Sequence, residues 1–392
     1  MKVLSLSLFA LLALSVSARA DFESCKAHIK AQAAAQGVSG ATLARALDDL
    51  EPNDAPTFLD VQPEFSTPIW DYIAGLVDEE RVSEGQAAFA ANRQAALAAQ
   101  HRFGVDAAAV VAVWGVESNF GQNFGARPVI QSLASLACLG SRRNDYFRGE
   151  LIAALKIVDR GDVKPEEFTG SWAGAFGNTQ FMPSTFLRLA VDMDGDGRRD
   201  VVGSVADALG STANFLRSSG WVSGLPWGVE VALPENYRGP SGRGAKQPLS
   251  VWAKRGLTHV DGSALSGAGA FGLLLPAGPR GPAFLVSRNF DAFYSYNAAE
   301  SYALAIALLS DRLKGKPGLQ TPWPTDDPGL SRAERREVQA RLEQHGYDVG
   351  GKHDGVMGTK TREAIKAYES GLGMKPDGRA GQKVLEFLRA GR

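Results

Sequence analysis

The chain has 392 residues, enough for two or three domains, and its 44% hydrophobic and 22% charged residues are those of an ordinary globular protein. A formal net charge of −1 excludes a global field that would recruit nucleic acid or an anionic membrane surface. The 44 glycines predict a loop-rich fold with many turns.

The chain begins "MKVLSLSLFALLALSVSARA". Lys2, an apolar run from Val3 to Val16, and Ala18-Arg19-Ala20 read as a secretory signal peptide over residues 1–20, cleaved after Ala20. The run is short for a bilayer span, and no cysteine follows the cleavage site to take a lipid. No later segment is long and apolar enough to be a transmembrane helix. A soluble, exported, periplasmic protein is expected. Export gives meaning to the two cysteines, Cys25 and Cys138: an even pair in an oxidising compartment favours a disulfide over two buried thiols.

Residues 21 to about 220 read as mostly helical. The Ala-rich run "SEGQAAFAANRQAALAAQHRFG" ends at Gly104. "VDAAAVVAVWGVESNFG" follows. Asp106 is placed to cap a helix, and Asn119 and Gly121 to end it. Val110, Val113, Trp114 and Glu117 fall at i, i+3, i+4 and i+7, so the carboxylate shares a face with apolar side chains. A buried carboxylate is costly unless it is paired or keeps its proton, which marks Glu117 as a candidate acid. A Glu paired at a fraying helix end is the bland alternative. "RGELIAALKIVDRG" is a further helix closed by Gly161.

"GSWAGAFGNTQFMPSTF", residues 170–186, crowds small residues around Trp172 and Phe176, which allows close backbone approach. Gln180 beside Phe181 suits sugar recognition, with rings on pyranose faces and the amide on hydroxyl or N-acetyl groups. Pro183 can open the next helix. "DMDGDGRRD" then places Asp192, Asp194 and Asp196 at positions 1, 3 and 5 with Gly197 at 6, the start of an EF-hand-type calcium loop, to which Arg198 would lend its carbonyl. Position 12 is Gly203 instead of Glu, and Asp200 is placed as a water-mediated ligand. A structural calcium, with no cofactor for catalysis, is the reading. An Asp/Gly turn without metal is the alternative.

From Trp221 to about Val286 the texture changes to short strand-like runs, "GVEVALP" and "FGLLLP", between Gly/Pro loops, a small β-containing insertion. Helix returns at "NAAESYALAIALLSDRL", with Tyr302, Ala305, Ile306 and Leu309 on one face. "KGKPGLQTPWPTDDPGL" is a Pro/Gly-rich linker, taken as residues 316–330. Residues 331–392 read as a separate module of three short helices, opened by a Ser331/Glu334 capping box.

"WGVESNFG" followed by "GAFGNTQFMPSTF" resembles the lytic transglycosylases of the membrane-bound lytic transglycosylase B type, glycoside hydrolase family 103. The resemblance spans nearly all of residues 22–315 and continues through "SRRNDYF", "DMDGDGRRD", "DALGSTANFL" and "YNAAESYALAIALL". "REVQARLEQHGYDVGGKHDGVMGTKTREAIKAY" resembles the common helical peptidoglycan-binding domain. The resemblance implies a mainly α fold: a lysozyme-like α+β catalytic domain over 21–315 with a small β-containing insertion, plus a three-helix wall-binding domain. It implies Glu117 as catalytic acid/base and Ser171, Gln180, Tyr296, Asn297 and Tyr302 as site residues. Tyr72, Arg142, Arg143, Tyr146 and Phe181 would line the glycan groove, the arginines facing carboxylates. The longer acidic loop of that family implies Asp207 as the replacement for the missing position-12 Glu. The implied partner is the peptidoglycan glycan strand.

Most glycosidases need two carboxylates. The resemblance implies one: Glu117 protonates the leaving oxygen, the substrate's N-acetyl group steadies the cation, and Glu117 then deprotonates the muramic 6-hydroxyl to close a 1,6-anhydro ring. An apolar surround favours the protonated acid that the first step needs. A hydrolytic muramidase and a non-catalytic wall-binding protein are the competing readings.

Overall fold

The computed structural model describes residues 21–59 and 67–391, so residues 1–20, read above as a signal peptide, lie outside the described residues. Among the described residues the fold is mainly helical, with a two-stranded and a five-stranded sheet. Two compact units divide it: Met1–Gln62 with Glu117–Phe215, and Pro63–Val116 with Leu216–Arg392.

The first unit is built on helix pairs. A helix over 21–35 buries Phe22, Ile29 and Ala33, spaced so that they share one face. Helix Val129–Leu139 buries Ile130, Leu133 and Leu136 and turns back through residues 140–143 into helix Asn144–Asp159, which buries Leu151, Ile152 and Leu155. Gly161 follows in the left-handed region, the stop read from the sequence. The sulfurs of Cys25 and Cys138 are joined, tying the first helix to the last turn of Val129–Leu139. Strands β1 (Arg127–Pro128) and β2 (Thr169–Gly170) pair antiparallel, Arg127 opposite Gly170.

The second unit holds an antiparallel five-stranded sheet in the order β4-β6-β7-β3-β5. The strands are β3 (Gly228–Ala232), β4 (Gln247–Pro248), β5 (Thr258–His259), β6 (Ala270–Leu274) and β7 (Ala283–Val286). The two runs read from the sequence are β3 and β6. The central β7, "AFLV", is buried at every residue, so it carries no alternation to read. Trp252 is fully buried against the sheet and its indole N–H donates to the Phe271 carbonyl at 2.7 Å.

Two expected helices are broken. The Ala-rich run is two helices, Glu79–Ala91 and Arg93–Phe103, because Asn92 leaves helical geometry and its side chain caps the Ala88 carbonyl at 2.9 Å. Tyr296 and Asn297 end one helix, Arg288–Asn297, and Tyr302 lies in the next, Glu300–Leu313, with Ala298 left-handed between them. That second helix is buried on more than one face: Ala303, Leu304 and Ala307 are as hidden as Ala305, Ile306 and Leu309.

Residues 314–330 form no helix or strand longer than a bridge, yet they are pinned: Glu230 on β3 accepts from the backbone amides of Gln320 and Thr321 at 3.0 and 2.8 Å. Leu330 then enters the core of the C-terminal module with Val338, Leu342, Ile365, Tyr368 and Leu385. The Ser331/Glu334 capping box is formed, starting helix Arg332–Gln344. Helices Thr359–Gly371 and Gln382–Arg389 complete the module. Among the described residues no helix is long and apolar enough to cross a membrane.

Candidate active site

Helix Ala107–Ser118 is capped as expected, Asp106 accepting from Ala108 and Ala109 at 2.9 and 3.2 Å. It does not have one apolar face. Ala107 through Gly115 are all buried, so periodicity singles out nothing there. What marks Glu117 is place: it is half-buried in the last turn, beside half-buried Val116 and buried Ser118. Asn119, Phe120 and Gly121 then turn the chain with φ of 49°, 56° and 85°. Two successive non-glycine residues in that region store on the order of 1–3 kcal/mol each, held in place by the surroundings.

In the first unit that hold is visible. Ser118 Oγ donates to the Asn178 carbonyl at 2.9 Å, and Gly121 N donates to Ser118 Oγ at 3.2 Å. Asn178, 2% exposed, donates its side-chain amide to the carbonyls of Val201 and Val202, both at 3.0 Å. The residue after Glu117 is thus locked to the loop that carries Ser171 and Gln180. In that loop Ser171 Oγ accepts from Ala175 N at 3.1 Å. Gln180 sits left-handed (φ 47°) with its amide nitrogen donating to Phe124 and Gly177 carbonyls at 3.1 and 2.9 Å. A Cβ at Gly170 would stand 2.2 Å from the Ala175 oxygen, which explains the small residues. Trp172 stacks on Phe58 with centroids 6.3 Å apart.

Arg142, Arg143 and Tyr146 are exposed at the start of helix Asn144–Asp159. Arg142 donates to the Leu59 carbonyl, and the Arg143 guanidinium lies 4.3 Å over the Tyr146 ring. Tyr146 is 39% exposed, yet partial desolvation of its phenol, with Glu150 nearby, pushes the group above its ordinary value. Phe181 departs from expectation. It is 2% exposed, bridges Phe176 and packs on Phe215 at 5.8 Å, so it supports the loop from inside and does not line a groove.

In the second unit Tyr72 is half-buried on helix Ile69–Leu76, Tyr296 is half-buried and Asn297 exposed. Tyr302 is 4% exposed and stacks behind Tyr296 with centroids 6.3 Å apart. This unit also holds a cavity of 690 Å³ lined by Ile73, Trp227 and Phe284 among others. None of the site residues expected from the sequence lines it, and four of its charges form two pairs, Arg312 with Glu79 at 2.7 Å and Lys316 with Asp311 at 3.0 Å.

In the acidic loop, one ligand atom each from Asp192, Asp194 and Asp196 lies within 4.8 Å of the others. Their arrangement is set by backbone amides: Asp192 accepts from Gly195 and Gly197 at 2.6 and 2.9 Å. Asp207 is not in that trio. It is fully buried, and its carboxylate accepts from the amides of Met193, Asp194 and Asp200 at 2.7, 3.3 and 2.7 Å, bracing the loop from below. Burial raises its carboxyl above the usual range, partly offset by those amides. Asp200 accepts from Val202 and Gly203 at 3.0 and 2.7 Å, closing a turn. The Arg198 guanidinium pairs with Asp196 at 3.4 Å.

The transglycosylase SLT domain family matches residues 21–311, and the peptidoglycan binding domain family matches residues 331–388. The chain is a lytic transglycosylase of the membrane-bound lytic transglycosylase B type. It is 32% identical over 265 residues to membrane-bound lytic murein transglycosylase B of Escherichia coli K12, covering 65% of this chain and 70% of that one. It is similar to SltB3 of Pseudomonas aeruginosa, solved with NAG-anhNAM-pentapeptide: 43% identity, 94% and 99% of the two chains, TM-score 0.75. It is also similar to Escherichia coli Slt35 in complex with calcium, at 27% identity, 74% and 92% coverage and TM-score 0.65.

This lytic transglycosylase therefore acts on peptidoglycan. Its catalytic unit relies on side chains that sequence reading passed over. Asn178 and Ser118 lock the turn after Glu117. Glu150, 4% exposed, accepts from Ser184 N and Ser184 Oγ at 2.8 and 2.6 Å and so anchors the end of the Gln180 loop. An Asn in "GNTQ" and a Glu in "RGELIAAL" carry no pattern of their own.

Proposed function

We propose that this enzyme cleaves the β-1,4 bond between N-acetylmuramic acid and N-acetylglucosamine without water. The observation that carries the reading is Glu117 at the exit of a buried helix, its neighbour Ser118 bonded at 2.9 Å to the loop bearing Ser171 and Gln180. Protonated Glu117 gives its proton to the glycosidic oxygen as the C1–O bond breaks. The substrate's acetamido oxygen closes on C1. Carboxylate Glu117 then takes the proton of the muramic 6-hydroxyl, and O6 displaces the acetamido oxygen from C1. Atoms and charge balance with one carboxylate and no water.

Ser171 and Gln180 orient the sugar. The Gln180 amide nitrogen is spent on two backbone carbonyls, so its side-chain oxygen is what it offers to a substrate N–H or hydroxyl. Tyr296, Asn297 and Tyr72 are read as further sugar contacts by resemblance, with Tyr302 stacked on Tyr296. Arg142, Arg143 and Tyr146 face the acidic groups of muramic acid or its peptide. Residues 331–392 hold the wall, and residues 1–20 direct export to the periplasm. A reducing-end assay separates this reading from hydrolysis: sacculi should dissolve without a matching gain in reducing ends.

Calcium is proposed as a structural ion on Asp192, Asp194 and Asp196, hard oxygen donors that repel one another without a cation. It plays no part in the chemistry. Calcium added to chelator-stripped protein should raise the melting temperature, by about 2.7 kcal/mol of stabilisation at a hundred times Kd. Asp194→Ala should remove that response. A melting temperature indifferent to millimolar calcium rules the site out.

A further inference from the structure

The C-terminal module meets helices Ile69–Leu76 and Glu79–Ala91 through opposite charges drawn from far apart in the chain. Arg379 grips Asp71 with two nitrogens on two oxygens, both at 2.7 Å, and also binds the Asp327 carboxylate. Arg332 bonds Asp78 at 3.0 Å and Glu84 at 2.8 Å, and Arg336 bonds Glu80 at 2.6 Å. Arg335 donates to the backbone carbonyl of Asp71 at 2.7 Å. Asp71 and Asp78 are each only 7% exposed. Two-pronged arginine–carboxylate contacts fix orientation as well as distance. Removing the arginine from such a pair leaves a buried charge without compensation.

Two glycines record how close the approach is. A Cβ on Gly75 would stand 2.6 Å from the Arg335 guanidinium nitrogens. A Cβ on Gly329, at the end of the linker, would stand 2.7 Å from Asp71 Cα and the Trp70 oxygen. The first conflict falls on the end of a flexible side chain, the second on backbone that has nowhere to move. These contacts converge on residues 70, 71 and 75, the turn that carries Tyr72.

We propose that Arg335 and Arg379 are positioning residues for the glycan groove: the module that holds the wall also sets the helix that presents Tyr72. The proposal rests on the assignment of Tyr72 to that groove. It makes the C-terminal module part of the cutting geometry even for a glycan too small to need anchoring.

The test uses full-length protein and two readouts, amide hydrogen exchange over residues 69–76 and steady-state kinetics on a soluble tetrasaccharide of alternating N-acetylglucosamine and N-acetylmuramic acid. Arg379→Ala and Gly329→Ala should speed exchange there and raise KM by about 3- to 10-fold with kcat within about twofold, the pattern of lost ground-state binding. Arg379→Lys, which keeps the charge but not the two-pronged contact, should fall between. Gly75→Ala strengthens intrinsic helix propensity, so faster exchange in that variant reports loss of the Arg335 seat and not a weaker helix. Tyr72→Ala should raise KM to a similar extent, and adding Arg379→Ala to it should change KM less than about twofold, because the two act through one contact. If Tyr72→Ala raises KM while the arginine and glycine variants leave KM at the wild-type value, the proposal is overturned and the groove assignment stands. If Tyr72→Ala leaves KM unchanged, the groove assignment fails and the proposal falls with it.

Discussion

Glu117→Gln is expected to lower turnover on sacculi by a factor on the order of 10²–10⁴, the usual range for a general acid–base group. The loss should lie toward the upper end, because one carboxylate serves both proton transfers. Glutamine keeps the shape and the hydrogen bonding of the glutamic acid but cannot cycle a proton. The bonds that lock the turn that follows run among Ser118, Gly121, Asn178 and the Val201 carbonyl. The variant should therefore fold, melt near the wild-type temperature and still bind glycan. Pelleting with sacculi measures binding and a turbidity assay measures turnover. Near-normal turnover in Glu117→Gln would remove the assignment.

The second large effect belongs to the Cys25–Cys138 bridge, which closes a loop with a sequence separation of 113 residues. Replacing both cysteines by serine should cost about 2–5 kcal/mol, since loops near this length lose the most unfolded-state entropy when cross-linked, about 4.7 kcal/mol for 100 residues. Urea unfolding of the oxidised wild type and the double variant gives the difference directly. The first helix is otherwise held by Phe22, Ile29 and Ala33 and by Lys26, which reaches the Asp48 and Leu50 carbonyls at 3.3 and 3.2 Å. Equal unfolding midpoints for the two proteins, with unchanged slopes, would mean that those contacts alone hold the helix and the bridge adds nothing.

Much of this was legible where the physics is local. The Ser331/Glu334 box, the Asp106 cap and the stop at Asn119 are written in three or four consecutive positions, and each is formed. The motif around Glu117 was legible as resemblance more than as periodicity: with Ala107 through Gly115 buried all round, the i, i+3, i+4, i+7 pattern was true of the letters and uninformative about a face. Long-range satisfaction left no trace. The resemblance makes Asp207 a ligand, yet three backbone amides claim its carboxylate. Phe181 looks like a sugar platform from its neighbours, yet Phe176 and Phe215 draw it inward. The arginines of the C-terminal module stand out by no motif or spacing in the sequence. Their carboxylates lie some 250 to 300 residues earlier, a partnership that no window on the sequence contains.

Mass spectrometry of the soluble products from purified sacculi tests the central claim most directly. The account predicts muramic ends in the 1,6-anhydro form, each product lighter by one water than its hydrolytic counterpart and resistant to borohydride. Reducing-end muramic acid as the main product would contradict it and make the enzyme a hydrolase.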